Sequence, residues 1–220
     1  MELVPIILAI IAITLFYFLY AYFATKPTIL INSVTKLGSS SKTDIKPSGV
    51  SNYAYGVWVF VDAVNASEST IISRQNNFKL ILTGAVLELQ LYTTKPEYVS
   101  IPYTDNFPIQ KWTHVGFSVA NSYADLYLDG KLVKSKLVKD NGYLSEKPDI
   151  TKDVYYGGVV SGQSISITKF KYWNDSVMPD DMWNEYITGN GQSQIMNKLS
   201  SYGANITILK DGIEQNMFSI

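Results

Sequence analysis

The sequence predicts an antiparallel β-sandwich that is preceded by one transmembrane α-helix, and three observations support this. The run Leu3–Phe23 is apolar and uncharged. About a dozen later segments are rich in β-forming residues and are separated by turn signals such as Asp-Gly. Beyond the apolar run, only Pro179–Ile187 has the acidic first turn and the following glycine that are typical of a helix.

The apolar run is long enough to cross a lipid bilayer as a helix. At about 1.5 Å per residue it would extend over roughly 31 Å, the thickness of the hydrocarbon core. A cleaved leader is the alternative, but its apolar core would be shorter and would follow a basic segment. We therefore expect an anchor over residues 1–25, a linker with a first strand over 26–52 and a sandwich domain over 53–220. Six apolar anchor positions are assigned to lipid contact: Leu3, Ile7, Ile11, Leu15, Phe18 and Tyr22.

Flanking cations predict the orientation of this anchor. Lysine follows the run at four nearby positions, namely Lys26, Lys36, Lys42 and Lys46. Since lysine and arginine are retained on the cytoplasmic side, the C-terminal domain is expected to be cytosolic. The absence of cysteine agrees with that placement. Formal glycosylation triplets begin at Asn65, Asn174 and Asn205, but a chain this rich in Asn, Ser and Thr produces such triplets by chance.

Composition narrows the range of partners. The formal net charge is −1 and charged residues make up 17% of the chain, so no basic stripe is available for nucleic acid. Aromatic residues reach 13%, with 16 tyrosines, a composition that suits β-sheets and recognition surfaces. The sequence therefore favours proteins, lipids or glycans as partners.

Side-chain alternation distinguishes the predicted strands. Residues 53–62 are apolar on both faces, as expected for a strand that is covered on both sides. Residues 86–93 place leucines on one face and mainly polar groups on the other, so one side of that strand is solvated. Two long loops are predicted over 96–110 and 140–152. Further strands are predicted over 28–34, 69–74, 78–83, 111–120, 123–128, 131–138, 154–156, 164–173, 205–210 and 213–220.

The order of these segments resembles the concanavalin A-like lectin/glucanase superfamily in its laminin-G-like branch. Three pieces carry the resemblance. They are residues 53–62 (YAYGVWVFVD), the pair 112–115 (WTHV) and 124–133 (ADLYLDGKLV), and the closing segment 154–189. The resemblance covers roughly residues 28–220 and implies an all-β, concanavalin A-like jelly roll. That superfamily includes enzymes, calcium-dependent glycan binders and plain interaction modules.

The residues do not support an enzyme of the glucanase type. Glycoside hydrolysis needs two carboxylates on either side of one bond. Glu88 has no second acid on its strand face, and Glu97 falls in a predicted loop. His114 is the sole histidine and lacks the partners of a zinc site or a nucleophilic triad, so we interpret it as structural. A hydrolase that uses Glu88 stays a remote alternative.

No metal or cofactor is expected. Calcium would require several oxygen ligands that converge from loops. Three pairs of adjacent Asp or Asn residues could supply oxygen ligands: Asp105-Asn106, Asp140-Asn141 and Asp180-Asp181. We interpret the first two pairs as turns and the third as the start of a helix.

Aromatic residues near the predicted 96–110 loop form the candidate binding site for a glycan or protein partner. Tyrosine and tryptophan rings are typical contact residues of recognition surfaces. Four are assigned to this site: Tyr92, Tyr98, Tyr103 and Trp112. Trp58 and Trp173 are assigned to the core.

These observations predict a single-pass membrane-anchored, non-catalytic module with a structural or interaction role. Proteins with a leading apolar helix and a domain of this kind occur among large DNA viruses that have an internal membrane. The specific hypothesis is a minor capsid or virion membrane protein that links the lipid bilayer to shell proteins. A membrane-tethered, carbohydrate-binding lectin is the alternative.

Overall fold

The computed structural model describes residues 3–23, 26–44, 46–47, 49–120, 122–138, 144, 149–191, 205–210 and 213–219. Side chains are described for all of these except residues 3–6, 18, 20–23 and the two segments beyond residue 204. The first elements are α1 (Leu3–Phe23), β1 (Thr28–Ile31), β2 (Thr35–Lys36), β3 (Ser41–Lys42), β4 (Tyr53–Ala63), β5 (Glu68–Arg74), β6 (Phe78–Thr83), β7 (Val86–Tyr92) and β8 (Tyr98–Thr104). They are followed by β9 (Trp112–Ala120), β10 (Tyr123–Leu128), β11 (Lys131–Leu137), β12 (Val154–Tyr156), β13 (Ser164–Trp173), α2 (Pro179–Ile187), β14 (Asn205–Lys210) and β15 (Ile213–Ser219).

Two antiparallel sheets form the body of the protein. The seven-stranded sheet has the order β1-β13-β4-β9-β10-β11, with β2 also paired to β13. The six-stranded sheet has the order β3-β12-β5-β6-β7-β8. This arrangement confirms the predicted antiparallel β-sandwich.

The main core lies between the two sheets. Tyr55 of β4 has its ring centroid 4.7 Å from that of Phe78 on β6 and 5.4 Å from that of Phe117 on β9. The leucines at positions 87, 89 and 91 of β7 close the core from the six-stranded side, and none of them is exposed. Aromatic rings at such separations add favourable edge and offset contacts to the burial of apolar area.

A second apolar layer covers the outer face of the seven-stranded sheet. Strand β4 is buried on both faces, as its sequence predicted, because α2 packs over this side. Met182 of α2 joins Ala54, Tyr127, Trp173 and Val177 in one buried cluster. The outer face of the six-stranded sheet carries no such helix among the described residues.

The predicted hairpins are confirmed by strand pairing. Thr83 faces Val86 across the β6–β7 turn, and Leu128 faces Lys131 across the β10–β11 turn. Asp129 and Gly130 have φ angles of 46° and 73°, both in the left-handed region that a tight Asp-Gly turn requires. β14 pairs with β15, and the Asp-Gly between them lies outside the described residues.

Three sequence predictions need correction or qualification. The predicted loop over 96–110 was wrong, because β8 occupies its middle and pairs with β7. Residues 26–52, predicted as a linker with one strand, contribute three strands that pair with β13 and β12. Of the second predicted loop, most of residues 140–148 lie outside the described residues.

The N-terminal helix bears on the predicted membrane anchor. In α1 the described side chains, those of residues 7–17 and 19, are all exposed, and they include Ile7, Ile11 and Leu15. The side chains of Leu3, Phe18 and Tyr22 lie outside the described residues. Within the part that the structure describes, no helix is both long and apolar enough to cross a membrane.

Candidate functional site

The outer face of the six-stranded sheet is the candidate site. β7 alternates strictly, with Leu87, Leu89 and Leu91 buried in the core and the other residues half-exposed on the opposite side. This is the half-solvated pattern predicted for the strand. The chemistry available on this face therefore comes from polar and aromatic side chains of β7 and of the strands beside it.

Two of the predicted aromatic residues meet on this face. Tyr92 of β7 and Tyr98 of β8 are direct cross-strand partners. Their ring centroids lie 5.1 Å apart with an interplanar angle of 62°, an edge-to-face arrangement. Lys79 of β6 places its Nζ atom 4.7 Å from the centroid of the Tyr98 ring, within cation–π range. The lysine and the two rings thus form one contact group.

Hydrogen-bonding groups lie next to these rings. Gln90 of β7 is the cross-strand partner of both Lys79 and Ser100. The Ser100 hydroxyl donates to Glu88 Oε2 at 2.8 Å, so serine orients the carboxylate. An amide, a carboxylate and a hydroxyl beside aromatic rings can recognise a ligand that has both hydroxyl groups and apolar C–H faces.

The Tyr98 phenol is neutral at neutral pH, and its surroundings on this face strengthen that preference. Partial burial raises the pKa of Tyr98 above its usual value, and the nearby Tyr92 adds to the rise. A backbone hydrogen bond with Asn76 acts in the opposite direction and is smaller than the burial effect. Tyr98 therefore presents a neutral ring and hydroxyl group to any ligand on this face.

The structure places Tyr103 and Trp112 elsewhere. Tyr103 points into the core, where it is only 8% exposed and its hydroxyl donates to the Gly116 carbonyl at 2.9 Å. Trp112 lies on β9 of the other sheet, and its ring centroid is 5.4 Å from that of Phe60. Only Tyr92 and Tyr98 of the four assigned residues come together.

Lys79, Gln90 and Ser100 also belong to this face and are not among the residues predicted for the site. Each lies in a segment whose alternation could have assigned it to the solvated face, but their mutual proximity depends on the strand register. A loop prediction for residues 96–110 carries no register, so it cannot place Ser100 beside Gln90.

His114 lies in β9 and is fully buried beneath α2. Its ring centroid is 5.4 Å from that of Trp58 and 6.4 Å from that of Tyr186. Burial lowers the pKa of His114 to about 4; Asp129 opposes this shift and Lys171 adds to it. A neutral imidazole inside an aromatic layer, away from the polar face, matches the structural role predicted for it.

Among the described residues, the Asp and Asn pairs considered as calcium ligands do not form a metal centre. No group of three or more His, Cys, Asp or Glu side chains converges there. Asp181 instead accepts a hydrogen bond from the Met178 backbone at the start of α2. The Thr104 hydroxyl accepts one from the Asn106 backbone. Asp140 and Asn141 lie outside the described residues.

Comparison with known families identifies the fold family. A laminin-G-type family model, described as the concanavalin A-like lectin/glucanases superfamily, matches residues 37–181. The chain belongs to this superfamily. The resemblance inferred from the three sequence pieces is thereby confirmed. The two antiparallel sheets of this chain fit the all-β jelly roll that the resemblance implies. No curated protein matches the chain.

Solved structures with this fold include bacterial toxin binding domains. One is the ligand-binding domain of botulinum neurotoxin serotype D in complex with N-acetylneuraminic acid, with TM-score 0.60 and 18% identity; the match covers 76% of this chain and 46% of that chain. Another is the receptor-binding domain of the mosaic serotype C/D, with TM-score 0.59, 20% identity and coverages of 75% and 45%. A third is the binding domain of Paraclostridial Mosquitocidal Protein 1, with TM-score 0.59, 14% identity and coverages of 76% and 46%.

These likenesses show the fold. The concanavalin A-like chain spans less than half the length of each of these binding domains. The sugar named for the serotype D domain is bound by that protein, and the shared fold does not assign it to a position in this chain.

Proposed function

We propose that this protein is a non-catalytic carbohydrate-binding module and that the outer face of its six-stranded sheet holds the sugar. The observation that carries the proposal is the Tyr92–Tyr98 pair beside Lys79, with Gln90 and Ser100 within the same cross-strand neighbourhood. The rings offer apolar surface to a sugar face, and the amide and hydroxyl offer hydrogen bonds to its edge.

The comparisons support a binding role of this kind. The family includes lectins, and the structural neighbours named above are described as binding domains, one of them in complex with a sialic acid. The role of linking a membrane to shell proteins, predicted from the sequence, has no counterpart among these comparisons. The lectin alternative is therefore the function we put forward.

The surroundings of Glu88 support binding rather than hydrolysis. Its cross-strand partners are Ile81 and Pro102, and its same-face neighbours on β7 are Val86 and Gln90. None of these is an acid, so the immediate sheet neighbours of Glu88 do not supply the second carboxylate that glycoside hydrolysis uses. Glu88 instead accepts a hydrogen bond from the Ser100 hydroxyl, which fixes the direction of its carboxylate. A carboxylate held in this way can orient a bound ligand.

A glycan array with matched variants tests the proposal. We expect the wild-type chain to bind a defined subset of glycans, and Tyr92→Ala and Tyr98→Ala to weaken that binding at least tenfold. Tyr123→Ala is the control, because Tyr123 is 53% exposed on the other sheet. An array without hits, or equal losses in all three variants, would refute a sugar site on this face.

We also retain the membrane tether as a proposal, with the domain on the cytosolic side. Its support is that the described apolar side chains of α1, among them Ile13 and Phe16, are exposed and need an apolar environment. Flotation of the full chain with liposomes tests this. Wild type should float after alkaline washing, and an Ile13→Lys/Phe16→Lys variant should not. Sedimentation of both forms without lipid would exclude the tether.

A further inference from the structure

An unbroken row of side chains crosses the whole outer face of the six-stranded sheet. Consecutive strands are joined by direct cross-strand partners from one edge to the other. In strand order from β3 to β8, the row consists of Lys42, Tyr155, Ser73, Lys79, Gln90 and Ser100. Every member has a polar group, and none belongs to the buried core.

The row has the dimensions of an extended ligand. Neighbouring strands lie about 4.8 Å apart, so five steps across the sheet span about 24 Å. A ligand of this length that lies perpendicular to the strands would meet a new side chain at each step. A single sugar would occupy only a fraction of the row, whereas a linear oligosaccharide would use all of it.

The row carries positive charge at its centre. Lys79 takes part in no ion pair among the described residues, and its ammonium group is held over the Tyr98 ring. Lys42, at the edge, is largely exposed and only 4.0 Å from Asp153. Glu88 belongs to the adjacent row, between Ile81 and Pro102, and its carboxylate is oriented by Ser100. The row therefore offers a central cation at Lys79, and the Glu88 carboxylate contacts the row at Ser100, two strands away from Lys79.

The row of side chains next to the polar row is closely packed. Ile81 lies on this outer face between Thr70 and Glu88, yet it is only 2% exposed. Its cross-strand partners Thr70 and Glu88 are half-exposed and polar, so the surface beside the row is closely packed and Ile81 itself is covered.

We infer that this row binds an extended, carboxylate-bearing oligosaccharide that lies across the strands, with one of its carboxylates at Lys79. The inference rests on the proposed function and specifies its ligand class. Within the described part of the chain the Lys79 ammonium group has no acidic partner, which favours an anion there, and the cation–π contact with Tyr98 fixes its position before the ligand arrives.

Calorimetric titration of the full chain with uronic acid oligomers tests the inference. Di- and hexasaccharides of galacturonic, mannuronic and glucuronic acid are compared with their methyl esters, which keep the shape and remove the charge. For one of the three uronic acids, we expect the acidic hexasaccharide to bind at least tenfold more tightly than its methyl ester. We expect the same margin over the acidic disaccharide of that uronic acid. Lys79→Gln should weaken the acidic hexasaccharide at least fivefold more than it weakens the methyl ester. Lys131→Gln, on the exposed strand β11 of the other sheet, is the control and should change neither by more than twofold.

The outcomes separate this inference from the proposed function. If array glycans bind and depend on Tyr98, but acidic hexasaccharides bind no better than their esters or disaccharides, the inference is wrong and the module still binds sugar. If Lys79→Gln and Lys131→Gln weaken binding equally, the attraction is a general charge effect and the row is not the site. If neither the array nor the titrations detect binding, both proposals are wrong.

Discussion

Met182 of α2 occupies the space that a side chain at Gly116 of β9 would fill. A Cβ atom at Gly116 would lie 2.5 Å from the Met182 sulfur and 2.9 Å from its methyl carbon. Helix α2 can therefore approach the seven-stranded sheet closely only because β9 carries glycine there. Met182 is fully buried as a result, and this contact holds α2 on the face opposite the candidate binding face.

We expect Gly116→Ala to destabilise the protein by about 1–3 kcal/mol, because the added methyl group overlaps Met182. The free energy of unfolding from urea titrations gives the change. Gly38→Ala is the control, since nothing lies within 4 Å of a Cβ atom at Gly38. It should shift stability by no more than about 0.5 kcal/mol. A Gly116→Ala variant as stable as wild type would show that α2 does not depend on this close approach.

The Lys171–Glu185 ion pair is a second attachment of α2 to the sheet. The Lys171 Nζ atom lies 2.5 Å from Glu185 Oε1, and the two side chains are 14% and 9% exposed. Removing one partner of a buried pair leaves an uncompensated charge. Glu185→Gln should therefore lower the free energy of unfolding by about 3–5 kcal/mol. Lys111→Met breaks the more exposed Lys111–Asp129 pair and should cost about 0–1 kcal/mol. Equal costs in urea unfolding would contradict the buried role of Lys171 and Glu185.

Acid should destabilise the protein through His114. The pKa of His114 is about 4 in the folded protein, below its ordinary value of 6.5, because burial disfavours the charged imidazolium. The unfolded chain therefore binds a proton first as pH falls, and stability is lost between pH 6.5 and 4. The loss is about 2 kcal/mol at pH 5.

The control for this pH dependence is His114→Phe, which keeps an aromatic ring beside Trp58 and Tyr186 without a titrating group. Thermal unfolding of both forms at pH 7 and pH 5 should show a smaller acid loss for the variant. If wild type and variant lose stability in parallel, other groups account for the acid sensitivity and His114 is not buried as described.

Arg74 connects two loops at one end of the sandwich. It is fully buried, and its guanidinium donates to the carbonyls of Pro47, Asp149 and Lys152 at 3.0, 3.1 and 3.2 Å. Lysine cannot reproduce these three N–H donors, so Arg74→Lys should lower the free energy of unfolding by about 2–4 kcal/mol. Limited proteolysis should then cleave near residues 46–52 and 149–153 before the rest of the domain. Unchanged cleavage there would show that Arg74 does not hold the two loops.

The fold was predictable where local patterns determine it. The alternation in β7 identified Leu87, Leu89 and Leu91 as core residues, and the Asp129-Gly130 turn identified the β10–β11 hairpin. The two-sided apolar pattern of β4 correctly required a second covering layer. Each of these predictions depends only on residues that are close in sequence.

The site was only partly predictable because it depends on contacts between distant segments. The loop predicted over 96–110 contains both Tyr98 and Tyr103 and therefore gives them one common role. The strand that replaces this loop directs Tyr98 outward and Tyr103 into the core. Lys79 reaches the same face from β6, across β7 from Tyr98. Strand register brings these residues together, and one sequence does not encode register in a local pattern.

The most direct measurement of the central claim is an NMR titration of the tyrosine rings with a glycan that binds on the array. We expect the largest shifts at Tyr92 and Tyr98, and none above baseline at Tyr123 on the other sheet. Shifts centred on Tyr123, or on Trp112 and Phe60, with Tyr92 and Tyr98 unmoved, would contradict a sugar site on the six-stranded sheet.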